Sequence, residues 1–157
     1  MRKTTYFDSA WREGWPTPEE LKPYFFARPG QQWFSTGGND SGGLTGEGAE
    51  RTEDLPQGAG RVDINLGMWG NPQLGVFLTY WKTGGGYQER YNSVWDLSRL
   101  GEHTRTLHDD PVPVGLFVPF EKAFEAVKEF IETDGERPKS IEWIANSDLP
   151  ANAFPPP

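Results

Sequence analysis

The stretch that most constrains this chain is residues 116–145, LFVPFEKAFEAVKEFIETDGERPKSIEWIA. Phe120, Ala123, Phe124, Val127, Phe130 and Ile131 recur at helical spacing on one face, and Glu121, Lys122, Glu125, Lys128, Glu129 and Glu132 take the other. The spacing predicts an amphipathic helix over 119–134. Pro119 suits the first turn, where its missing N–H has no intrahelical partner to lose, and Gly135 suits a left-handed C-terminal cap. After Glu136-Arg137-Pro138 the period falls to two. Ile141, Trp143 and Ala145 then lie on one side and Glu142 and Ile144 on the other, which predicts a strand. A helix and a strand that each carry one apolar face need a common core, so the helix is expected to pack on a sheet.

The rest of that sheet is legible between residues 62 and 95. Val62, Ile64, Leu66 and Met68 alternate with Asp63, Asn65 and Gly67, the pattern of a half-buried strand. Residues 69–73 supply turn chemistry, and the more continuously apolar stretch 75–82, GVFLTYWK, predicts a second, more central strand. Gly84-Gly85-Gly86 breaks it. A third strand over 87–95 puts Tyr87, Glu89, Tyr91, Ser93 and Trp95 on one side and Gln88, Arg90, Asn92 and Val94 on the other. Short connections make an antiparallel meander the economical topology.

Upstream, Thr17-Pro18-Glu19-Glu20 predicts a helix start closed by a capping box, with Leu21, Phe25 and Tyr24 to bury and Pro23 limiting its length. Residues 4–15, rich in aromatics, fit either a first strand or an arm lying on the core. Residues 31–36 read as a short strand containing Trp33 and Phe34. Between them and the meander, 37–60 (GGNDSGGLTGEGAERTEDLPQGAG) is nearly bare of large apolar side chains and reads as a long Gly-rich acidic loop or mobile insert. It lacks the spacing of a phosphate-cradling loop. Its acids Glu47, Glu50, Glu53 and Asp54 instead suit an element that orders on a basic partner.

The helix ending in Glu129-Phe130, then Gly135, Arg137-Pro138 and the strand Ile141-Glu142-Trp143 resemble the C-terminal signature of the Imm1 family of bacterial immunity proteins. That family is associated with polymorphic toxin systems, in which a small protein binds and neutralises one toxin domain, often a nucleic-acid deaminase. The resemblance implies a protein that works by binding, with no catalytic residue and no cofactor to carry over.

Composition is compatible with that role. The chain of 157 residues suffices for one domain, and 14% aromatics with seven Trp allow a core of a few large rings. The absence of cysteine removes disulfides and thiolate chemistry and suits a reducing cytoplasm. No stretch is long and apolar enough to suggest a membrane span. A net charge of -8 disfavours direct contact with nucleic acid and favours a basic protein partner, although it serves solubility equally well. Enzymatic alternatives have weaker support. His103 and His108-Asp109-Asp110 sit in a turn-like segment without metal-ligand spacing, no serine has a nucleophile-elbow context, and 23 acids produce carboxylate pairs by chance. A carbohydrate-binding module or small hydrolase using exposed Trp and acidic residues is the runner-up.

The expectation is therefore a single α+β domain over 1–157. An antiparallel meander carries one main amphipathic helix on a face, a short N-terminal helix precedes it, and a Gly-rich acidic loop spans 37–60. It is expected to act in the cytoplasm as a non-enzymatic inhibitor that occludes the active site of a basic toxin domain. The expected contact residues are Glu47, Glu50, Glu53 and Asp54 of the insert and Trp69, Tyr87, Tyr91 and Trp95 of the meander; no catalytic or metal site is expected.

Overall fold

The computed structural model describes residues 1–7, 10–28, 33 and 40–156. In chain order it contains strands β1 (Arg2–Phe7) and β2 (Ala10–Glu13), helix α1 (Pro18–Phe25), and strands β3 (Ser41–Ala49), β4 (Val62–Asn71), β5 (Gly75–Gly84) and β6 (Tyr87–Val94). The short strands β7 (His103–Arg105), β8 (Pro111–Pro113) and β9 (Phe117–Val118) follow, then helix α2 (Phe120–Glu132) and strand β10 (Glu142–Ala145). The fold is α+β. Its main sheet runs β10-β6-β5-β4-β3-β1-β2 with every neighbouring pair antiparallel, and β9 joins the start of β5. The predicted meander is its middle, β4–β5–β6. Residues 4–15, whose sequence fits either a strand or an arm, contribute to the hairpin β1–β2. The strand expected at 31–36 lies outside the described residues except for Trp33, which stands in a turn with its ring fully buried.

Both helices form where the sequence places them. Thr17 Oγ1 accepts the Glu20 N–H, and the Glu20 carboxylate accepts the Thr17 N–H, so two otherwise orphaned donors are satisfied at once. α1 buries Leu21 and Phe25. α2 buries Ala123, Ala126, Val127 and Phe130, with Phe120, Phe124 and Ile131 half-buried at the edges of the stripe. Its C-terminus closes with a Schellman pair: the Gly135 N–H donates to Phe130 O at 2.9 Å and the Asp134 N–H to Ile131 O at 3.3 Å. The left-handed C′ residue is Asp134, at φ 58°, not the expected Gly135. Gly135 follows with φ 100°, a conformation that a side chain would strain, and a Cβ there would also lie 2.0 Å from Ile64 Cδ1 on the sheet.

Two apolar layers flank the sheet. On the front, Leu44, Ile64, Leu66, Met68, Val76 and Leu78 pack with Tyr80 under α1 and α2. On the back, Phe77, Val94, Val112, Leu116 and Phe117 form a smaller cluster covered by the 96–118 segment and the C-terminal tail. β5 is buried on both faces from Gly75 to Tyr80, as its continuous apolar run predicts.

The loop expected over 37–60 requires correction. Residues 37–39 lie outside the described residues, but 41–49 form β3, a nine-residue strand between β1 and β4. Its inward positions are Gly42, Leu44, Gly46 and Gly48. A Cβ on Gly42 would meet the Phe7 ring at 2.7 Å, and one on Gly46 would meet Met1 Sδ at 2.5 Å and Ile64 Cγ1 at 3.0 Å. Side chains of neighbouring elements thus fill the space that this strand's own side chains would occupy. What remains of the loop, 50–61, is pinned by Thr52, whose Oγ1 donates to Ala49 O at 2.6 Å and accepts the Val62 N–H at 2.9 Å.

This packing separates two glycines that a loop would treat alike. Gly42→Val should destabilise the protein by about 1–3 kcal/mol through overpacking against Phe7. Gly43→Val, where a Cβ would meet nothing closer than 3.8 Å, should be neutral or slightly stabilising. Urea unfolding of both variants checks the contrast; equal midpoints would contradict the strand packing.

Candidate partner-binding cleft

The ends of β3 and β5, the β5–β6 hairpin and the corner after α2 meet around a cleft. One hollow, of about 460 Å³, lies between the β3–β4 loop and the helix corner, lined by Glu50, Glu53, Lys82, Asp134 and Glu136. A second, of about 490 Å³, shares Lys82 and Glu136 with it and adds Glu89, Arg137, Lys139 and Trp143. The sheet register brings Lys82 and Glu89 opposite one another on neighbouring strands, with the two-residue turn at Gly85-Gly86 just beyond.

At the centre, Lys82 Nζ donates to Glu50 Oε1 at 2.8 Å and lies 3.9 Å from the centroid of the Tyr87 ring, while Tyr87 OH donates to the same carboxylate at 2.9 Å. The Lys82 hydrogen bond, followed by that of Tyr87, holds the Glu50 carboxyl below the usual carboxylate range. Burial lowers the Lys82 pKa, but the hydrogen bond and charge of Glu50 outweigh it, and the balance is upward. Tyr80, beneath, has its hydroxyl raised by burial and donates to Gly135 O at 3.2 Å. Glu53 receives the Met1 amine at 3.0 Å.

The expected contact residues do not form one surface. Glu50, Glu53 and Tyr87 come together in the cleft, Tyr91 follows Tyr87 on the same face of β6, and Asp54 is exposed in the adjoining loop. Glu47 points to the back of the sheet, where it lies 3.7 Å from Arg61 Nη1. Trp69 is also on the back, half-buried and stacked on Phe77 at 5.3 Å, so the exposure expected of it at a turn is corrected. Trp95 is 56% exposed but lies past the far end of β6, beside Lys139 and Glu142.

Sequence reasoning missed three features. Lys82 was hidden at the polar end of an apolar strand. Arg137, which the sequence shows only as part of the helix-to-strand corner, lies 3.9 Å from the Tyr91 ring centroid. Tyr6 and Trp11, opposite one another on β1 and β2, and Trp81, three strands away on β5, are exposed on the back of the sheet at 41, 58 and 43%. Period-two alternation would have placed Trp81 there had the buried run before it not masked the period. Among the described residues no group of three or more His, Cys, Asp or Glu is arranged to hold a metal ion, and His103 Nε2 bonds to Ala153 O at 2.8 Å. The cleft offers fixed charges of both signs beside aromatic faces, which is binding chemistry. No helix among the described residues is long and apolar enough to cross a membrane.

The lowered pKa of Glu50 has a signed consequence. A carboxyl whose folded pKa lies below its unfolded value contributes stability that is fully present above the unfolded pKa and lost as pH falls through the folded one. The stability difference between the wild type and Glu50→Gln should therefore be constant near neutrality and shrink towards acid, below about pH 4. Urea titrations from about pH 7 to pH 3 measure it; a difference independent of pH would rule out the ion pair in solution.

Comparison with known proteins supplies the lineage. No curated protein and no solved structure matches the chain. The family model described as Immunity protein Imm1 matches residues 44–145, from the middle of β3 through the meander and α2 to the end of β10. That span covers most of the main sheet and the whole cleft corner, and the chain belongs to the Imm1 family of immunity proteins.

Proposed function

We propose that this protein binds a cognate toxin domain and neutralises it by covering its active site, and that the toxin acts on nucleic acid, as a deaminase does. The observation that carries the reading is the family match over residues 44–145. The chain's charge supports the toxin class: an enzyme that grips nucleic acid needs a basic groove, and a protein of net charge -8 is drawn to one. Opposed fields of this kind accelerate encounter, and aromatic side chains buried on contact slow escape. The protein would then act stoichiometrically in the cytoplasm, without catalysis or cofactor.

Within the cleft, Glu50, Glu53 and Asp54 are the acids we assign to contact with the toxin's basic rim, and Tyr87 and Tyr91 are the rings we assign to the buried part. Glu47, Trp69 and Trp95, on other surfaces, are secondary candidates. Tyr87 is well suited as an anchor because its hydroxyl is held by Glu50, so little conformational freedom is lost when it is covered.

Co-expression with the toxin domain encoded by the adjacent gene tests the reading, through co-purification and rescue of growth. Growth arrest without a complex would overturn it. The triple reversal Glu50→Lys, Glu53→Lys, Asp54→Lys should weaken the complex on the order of tenfold and flatten its salt dependence, while Glu47→Lys should do so less. Equal affinity for the triple variant, with its melting temperature unchanged, would remove the acidic loop from the interface.

A further inference from the structure

Arg137 is unlike most arginines of this protein. Arg12, Arg61, Arg99 and Arg105 each meet a carboxylate, respectively Glu20 at 3.0 Å, Asp63 at 2.9 Å, Glu102 at 2.9 Å and Asp109 at 3.5 Å. Arg137 has no such partner among the described residues. Its guanidinium carbon lies 3.9 Å from the Tyr91 ring centroid, and its Nη1 is closed off from solvent without any hydrogen-bond acceptor. A charged donor left unpaired in this way costs more than a neutral one. The side chain nevertheless lines the 490 Å³ hollow with Lys82 and Lys139. Nη1 itself is closed off, but the side chain as a whole is only half-buried, so an acceptor entering the hollow meets the part of the guanidinium that remains accessible.

Stacking covers the face of a guanidinium and leaves its in-plane N–H groups available, and that fork matches a carboxylate or a phosphate. The surroundings choose between them. Glu89 and Glu136 line the same hollow, and the chain carries a net charge of -8, so a polyanion is repelled more strongly than a single carboxylate carried on a basic protein surface. We propose that Arg137, held on Tyr91, receives an Asp or Glu side chain of the toxin. The inference rests on the immunity reading and deepens it: Glu50 and Glu53 meet the partner's cations, and a few residues away Arg137 meets its carboxylate. Contacts of opposite sign in one cleft define a single register, because shifting or inverting the partner sets like charges together.

Two arms test it. In the first, calorimetry with the toxin domain encoded by the adjacent gene compares the wild type with Arg137→Gln, Arg137→Lys and Tyr91→Leu. Arg137→Gln should weaken binding roughly thirtyfold or more, chiefly in dissociation, and Arg137→Lys should recover only part because an ammonium lacks the fork. If Arg137→Gln lowers the melting temperature, Arg137→Lys, which keeps the charge and the stem and lacks the fork, carries the test; Tyr91→Leu is read only beside it, because Tyr91 is itself assigned to the toxin contact. Wild-type affinity in the folded variants overturns the proposal and leaves the immunity reading intact. In the second arm, N-acetylglutamate amide is titrated into the free protein with arginine Nε–H resonances observed by NMR. The Arg137 signal should move saturably, while N-acetylglutamine amide leaves it still. No shift, or a shift with inorganic phosphate alone, overturns the carboxylate assignment. A wild type that forms no complex overturns the immunity reading instead, and the second arm still decides the carboxylate question without a toxin.

Discussion

The corner between α2 and β10 fixes the geometry on which the cleft depends. Four contacts hold it. The Schellman hydrogen bonds close the helix, Gly135 sits so close to Ile64 that no side chain fits between them, Tyr80 OH donates to Gly135 O, and Trp143 Nε1 donates to Pro138 O at 2.7 Å. Each joins the corner to a different part of the fold: the helix, β4, β5 and β10. Arg137 lies between the last two contacts in sequence, so its backbone has little freedom, and Tyr91 completes its placement from β6. A side chain anchored this way is presented to a partner at low entropic cost.

β3 applies the same principle to the other half of the molecule. With glycine at three of its inward positions, the strand lets Phe7, Met1 and Ile64 reach the space over it, which ties the β1–β2 hairpin to the meander as one sheet. That also explains which parts of the fold were legible. α1, α2, β4 and β10 declare themselves because their own side chains carry the period, with end signals at the helices, and β5 does so by its continuous apolar run. β3 does not, because the apolar half of its alternation is supplied by residues distant in sequence, leaving a Gly-rich string that looks like a loop. Only Leu44 and Thr45, one facing each way, hint at the strand.

The candidate site was less legible than the fold, and for a related reason. Sequence shows which residues are acidic but not whether they are already partnered. Of the four acids singled out, Glu47, Glu50 and Glu53 each face a cation of this chain, so the stretch is less a free negative patch than its composition suggests. Likewise Trp69, beside a turn, is taken up by Phe77, and Arg137, beside helix-end acids, stacks on a ring. Charge and aromaticity are visible in one dimension; their pairing is set by sheet register, which brings Lys82 to Glu50 across 32 positions.

Net charge and local charge therefore bear on different quantities. The excess of acids over bases acts out to about a Debye length from the surface and bears on how fast a basic partner arrives. Within contact distance many of the acids, Glu47, Glu50 and Glu53 among them, are already paired with cations of the chain, and such pairs contribute little discrimination because they are satisfied before the partner comes. What discriminates is the group still lacking a partner. In the cleft Glu89, Glu136 and Lys139 also lack an ion pair among the described residues, but Arg137 alone among them has a nitrogen closed off without an acceptor; on the proposal above, the feature that draws a toxin in and the feature that distinguishes one toxin from another carry opposite signs. If Arg137 plays the proposed part, a single substitution there would change which toxin is held while leaving the charge that speeds association almost untouched.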